Sequence, residues 1–153
     1  LAGRTSADVF TNALSMAILI ATGLAIGFSF QTNVLHVLAG LVLALTFGYA
    51  FSWVFAYLGL LVKTPEAANS VGFIAVFPLT FISSAFVPGQ TLPAPLRQFA
   101  DVNPFTIVVN ELRWLWTGQP SPDHVWQAFA WVVFILVLFS PLAVQRYRRA
   151  AGR

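Results

Sequence analysis

Four apolar runs, at about residues 9–30, 35–62, 67–87 and 125–144, carry no Asp, Glu, Lys or Arg deep within them. Each is near or above the ~20 residues an α-helix needs to cross the hydrocarbon core of a bilayer. Lipid offers backbone groups no hydrogen bonds, so such runs must be helices, and the fold class is all-α integral membrane. The residues are 58% hydrophobic and 8% charged, where a soluble domain is usually about one quarter charged. A mean hydropathy of +0.80 agrees. The whole chain, 1–153, therefore reads as one transmembrane domain in contact with the lipid bilayer. It has no cysteine, which rules out disulfides and thiolate metal sites. Of its eight basic residues, four (Arg146, Arg148, Arg149, Arg153) lie in the last eight positions. A basic end beside an apolar helix is a topology signal, so the net charge of +3 does not imply a nucleic-acid partner.

The stretch from Lys63 to Gly118 organises the rest. It starts as a run long enough to cross, passes through Pro88, Gly89, Pro93, Pro95 and Pro104, and continues into an apolar run at Phe105 to Trp116 that is too short to cross. That second run suits an interfacial or re-entrant helix, and Leu96 to Val102 suits a short helix before it. Together they predict a re-entrant region at about 88–118. Trp114 and Trp116 fit the headgroup layer. Glu111 and Arg113 are two apart and so do not face each other, whereas Arg97 and Asp101 are four apart and can pair weakly. Thr64, Pro65 and Glu66 form a compact helix start: a capping hydroxyl, a first-turn proline, and an acid at the positive helix end. Pro78 falls in the middle of the third run, where it predicts a kink. Ser83 and Ser84 lie one turn beyond, placed either to bond the carbonyls it frees or to face a path.

Upstream, Thr5 and Asp8 make a Thr-x-x-Asp helix-start pattern in which the Thr5 hydroxyl caps. Ala13, Ala17, Ala21 and Ala25, with Gly23 and Gly27 beside them, form a small-residue face on the first helix. Gly40, Ala44, Gly48 and Ser52 form another on the second. Such faces allow close helix approach, and the short turn at Gln31 to Asn33 predicts an antiparallel pair. His36 stands near the start of the second run and reads as a solvated interfacial residue. The chain starts at Leu1 without signal-peptide features, and we expect it to be a piece of something longer.

With the basic tail placed inside, the spans alternate so that six basic residues fall inside and two outside. The 88–124 region is then external. No GxxxxGK[ST] phosphate loop occurs, and no ionisable group lies deep in a span to drive ion coupling. A transporter built this way draws its energy from a partner, and its apolar interior suits greasy cargo.

The run KTPEAANSVGFIAVFPLTFISSAFVPGQTLPAPLRQFADVNPFT resembles the membrane subunit of type 2 ABC exporters, in particular bacterial daunorubicin-resistance-like permeases. The parts that carry the resemblance are Thr64-Pro65-Glu66-Ala67, Phe77-Pro78-Leu79-Thr80-Phe81, Ser83-Ser84-Ala85-Phe86-Val87-Pro88 and Val102-Asn103-Pro104-Phe105-Thr106. The opening LAGRTSADVF resembles the segment leading into the third span of that family.

The resemblance implies a six-span permease of which this chain holds the last four spans, with an extracellular re-entrant helical pair between the fifth and sixth. It also implies a bacterial plasma-membrane location, a cytoplasmic C-terminus, a second permease as homo- or heterodimer partner, and a separate ATP-binding subunit. No cofactor is expected in this chain; ATP and magnesium would belong to that partner. Expected roles are ATPase-subunit contact at Arg4, Thr5 and Asp8, and gate or substrate path at Pro78, Ser83, Ser84, Pro88, Asn103, Pro104, Thr106 and Glu111. Gly23, Gly27, Gly40, Ala44, Gly48 and Ser52 are assigned to helix packing. The implied function is export of a hydrophobic drug or lipid, without enzyme chemistry in this chain. The competing function is a non-transporting membrane scaffold or assembly subunit.

Overall fold

The computed structural model describes residues 2–62, 64–83, 86, 93–119 and 125–151, with side chains described except at 2–8, 65 and 149–151. The described residues are all-helical, without strands. The helices are α1 (Ala2–Ala25), α2 (Val34–Gly59), α3 (Pro65–Phe81), α4 (Ala94–Val102), α5 (Pro104–Thr117) and α6 (Val125–Ala151). By length and apolar composition, α2 (Val34–Gly59) and the Val125–Arg148 part of α6 meet what a bilayer crossing needs. The apolar parts of α1 and α3, Val9–Ala25 and Glu66–Phe81, are shorter.

Helix ends depart from the expected ones for local reasons. The first helix begins at Ala2, so Thr5 lies inside it and is not its N-cap. It ends at Ala25, well short of Phe30, because Gly27 takes a left-handed φ of 105°. The Phe28 N–H then turns back to the Gly23 carbonyl at 2.9 Å, a C-terminal motif that glycine adopts at no steric cost. Gly27 is therefore a terminator outside the helix, with open space around it, and not part of a packing face. The third helix starts as the sequence indicates, with Thr64 Oγ1 accepting from the Ala67 N–H. It stops at Phe81, leaving Pro78 in its last turn instead of mid-span.

The second helix is the hub, touching α1, α3, α5 and α6, and its largest partner is α6. Leu43 and Ala50 of α2, Val108 and Leu115 of α5, and Ala128, Val132 and Ile135 of α6 form the core. Phe47, Phe51 and Phe105 join α2 to α5, with ring centroids 4.8 to 5.3 Å apart. Tyr57 and Phe139 join α2 to α6. The small residues of α2 do not all serve α1: Gly48 faces Asn12 of α1, whereas Gly40 lies under Trp116 of α5. Ser52 donates to its own helix, at the Tyr49 carbonyl.

Large apolar side chains remain uncovered on several helices, among them Phe10, Leu19, Val34, Phe73, Ile74 and Val137. Along α3, Phe73, Phe77 and Phe81 stack one turn apart, followed by Phe86, all exposed. A monomeric water-soluble protein rarely exposes contiguous apolar surface on this scale. The surface matches a surrounding of lipid or other membrane segments.

Candidate functional site

The end of α3, the α4–α5 elbow and the far end of α5 make one connected region, built on orphan backbone groups. The last turn of any helix leaves carbonyls without an intrahelical donor. In α3 the Ser83 N–H turns to Thr80 O, as does the Ser83 hydroxyl, so Leu79 O has no partner from its own helix turn. Asn103 supplies one from the elbow: its Nδ2 donates to Leu79 O at 2.6 Å and to Ile82 O at 3.4 Å. Its Oδ1 accepts from the Phe105 N–H at 3.0 Å and so caps α5. One side chain, 2% exposed, thus ends α4, starts α5 and holds α3.

The other end of α5 is closed with equal completeness. Thr117 Oγ1 donates to Arg113 O, and the Gly118 N–H donates to Trp114 O. Gly118 reaches that carbonyl through a left-handed φ of 67°. Thr32 Oγ1 donates to Leu115 O, and the Gln31 N–H donates to Trp116 O at 2.9 Å. The α1–α2 connection therefore supplies two donors to the last turn of α5. The Trp116 indole then lies on Gly40, with Nε1 donating to Val37 O at 3.4 Å and Phe30 edge-on at 5.9 Å. His36 shares Asn33 Oδ1 through both its backbone N–H and Nδ1, and sits edge-on to Trp114. Replacing Thr32 by Val keeps the shape but removes the donor to a part-buried carbonyl. We expect a loss of about 1 kcal/mol, read as a lowered thermal midpoint in detergent.

Between these ends, Pro104, Val108, Glu111 and Leu115 share the buried face of α5. Glu111 is 2% exposed, so a carboxylate stands on the same face as two core residues, whereas Arg113 is exposed. Thr106 is also buried. Of the expected gate or path residues, Asn103 bridges to the end of α3 beside Ser83, Pro104 and Thr106 are buried in the first turn of α5, and Pro78 is exposed in the last turn of α3. Glu111 lies deeper along α5. Ser84 and Pro88 lie outside the described residues, as do the side chains of Arg4, Thr5 and Asp8. Ser83, wholly buried, donates to Thr80 O at the helix end. Arg97 and Asp101 are both exposed on α4. The sequence marks Gln31 and Thr32 only as part of a short turn and Trp116 only as a headgroup-layer residue, not as partners across the α1–α2 connection and α5. Their signal was faint: a Thr and a Gln in a short loop, and a glycine one helix away.

Residues 1–144 match the family described as ABC-2 family transporter protein. The chain belongs to the ABC-2 transporter family. It is 29% identical over 148 residues to the daunorubicin resistance ABC transporter permease protein DrrB1 of Streptomyces coeruleorubidus. That alignment covers 97% of the chain and 52% of the relative, so the chain spans about half the length of the curated relative it matches. No solved structure matches it. Membership makes this ABC-2 chain a membrane-embedded protein of a transporter family, as the motifs from Thr64 to Thr106 indicate. In an ABC-2 protein the uncovered faces of α1, α2, α3 and α6 are surfaces for lipid or for neighbouring helices.

Proposed function

We propose that the chain is part of the permease subunit of an ATP-driven exporter that moves a hydrophobic drug or lipid out of a bacterial cell. The observation that carries this is the family match along almost the whole chain, together with the relative named as a drug-resistance permease. In this arrangement α1, α2, α3 and α6 are the last four spans of the permease, and α4 and α5 are its external re-entrant pair. The C-terminus, with Arg146 and Arg148, is cytoplasmic. The apolar runs supply no ion-coupling group, and energy enters through a separate subunit that binds ATP and magnesium. That subunit docks against the start of α1, where Arg4, Thr5 and Asp8 lie. A second permease, identical or related, completes the path. Pro78, Ser83, Ser84, Pro88, Asn103, Pro104, Thr106 and Glu111 belong to the outer gate or its support.

The test is co-purification of the full-length permease with a co-expressed ATP-binding subunit from the same genome. We expect the two to elute together from detergent, and the charge reversals Arg4→Glu with Asp8→Lys to release the ATPase while leaving the permease folded. A full-length permease that retains no ATP-binding subunit would overturn the proposal.

A further inference from the structure

The two helices of the hairpin are held very differently. Helix α5 buries Pro104, Thr106, Val108, Glu111 and Leu115, and it touches α2, α3, α4 and α6. Hydrogen bonds fasten both of its ends to other elements: Asn103 to the last turn of α3, and Gln31 and Thr32 to its final carbonyls. Helix α4, by contrast, touches α5 alone among the described helices. Ala100 is its one buried residue, Pro93 provides no side-chain cap at its start, and Leu96, Phe99 and Val102 are exposed. Its apolar arc is therefore not used up by contact with the described protein, and local opening free energy is small where few apolar contacts must be broken.

From this contrast we infer that α4 is the moving lid of the pair and α5 its fixed frame, with Asn103 as the pivot. Asn103 suits a pivot because its side chain is anchored to α3 and α5, while α4 is joined to it only along the backbone. A swing about this point leaves all three Asn103 side-chain bonds in place. It also lets the Leu96, Phe99 and Val102 arc exchange one apolar surrounding for another, at little desolvation cost. The inference rests on the export function for its purpose, since a lid implies an exit, but its mechanics stand on the packing alone.

These 153 residues contain no cysteine, and any cysteine elsewhere in the full-length permease or its partner is first replaced by serine, so paired spin labels report without background thiols. One reference label goes at Leu61→Cys beyond α2, and it is paired either with Gln98→Cys on α4 or with Arg113→Cys on α5, all exposed positions. The full-length permease is reconstituted with its ATP-binding partner and an excess of unlabelled permease, and distances are measured by pulsed electron resonance with and without ATP. We expect the 61–98 distribution to be at least about twice as wide as the 61–113 distribution, and to shift with ATP while the latter stays fixed. Equal widths, or a common shift of both pairs, would overturn the lid. If no ATP-binding subunit associates, the export function fails. The comparison of widths in the permease alone still decides whether α4 moves against a fixed α5.

Discussion

Replacing Asn103 by Ala is expected to destabilise the protein by roughly 2–4 kcal/mol, because one truncation removes a helix cap and strands two carbonyls where water is scarce. Leu79 O and Ile82 O lose their Nδ2 donor, and the Phe105 N–H loses its acceptor, all at a residue 2% exposed. The check is thermal unfolding in detergent, with a drop of several degrees for Ala. Ser in the same place can cap α5 but is too short to keep both bonds to α3, so Asn103→Ser should recover only part of the loss. An Ala variant as stable as the native protein would mean that the elbow is not held by this side chain. Full recovery by Ser would mean that the cap alone matters and that α3 is not clamped.

Gly40→Val should be the most damaging change in α2. A Cβ at Gly40 would collide with Trp116 Nε1 and come within 3.0 Å of two further ring atoms, closer than real Cβ atoms tolerate. The indole must leave, taking with it the bond to Val37 O and the Phe30 edge contact, and it would pull on the carbonyls that Gln31 and Thr32 hold. Overpacking of this kind costs about 1–3 kcal/mol, with the lost hydrogen bonds in addition. Gly59→Val is the matched control, since nothing lies within 4 Å of its added Cβ. Adding Trp116→Leu to Gly40→Val should restore part of the stability, a coupling that a double-mutant cycle reads directly. Independent effects of the two changes would contradict the contact.

Local rules carried much of the architecture. Thr64, Pro65 and Glu66 marked the start of α3 within a residue, because cap chemistry is decided by neighbours in sequence. The α4–α5 hairpin followed from the spacing of prolines and the short apolar run after Pro104. Its helices extend only slightly further, to Ala94–Val102 and Pro104–Thr117. The ends where the structure departs from the sequence pattern are also local: Gly27 has the spacing of a packing residue but serves as a left-handed helix stop, the usual role of glycine there. The Thr-x-x-Asp pattern at Thr5 does not start α1, because the residues before it continue the helix.

Long-range partners were not legible. Nothing in the sequence ties Asn103 to Leu79, 24 positions away, or Gly40 to Trp116. Small-residue spacing shows that a face can be approached, not by what, and here one face of α2 is shared between α1 and α5. The burial of Glu111 was accessible in principle. Its spacing from Val108 and Leu115 places it on their face of α5, and the helical phase, more than the charge, decided its environment.

The export function is tested most directly in inside-out membrane vesicles carrying the full-length permease and its ATP-binding partner, by following the uptake of a panel of hydrophobic fluorescent drugs and labelled lipids. The expected result is uptake of at least one class that requires ATP hydrolysis and disappears when the partner's ATPase is inactivated. Uptake unchanged by that inactivation, or no ATP-dependent uptake of any member of the panel, would contradict it.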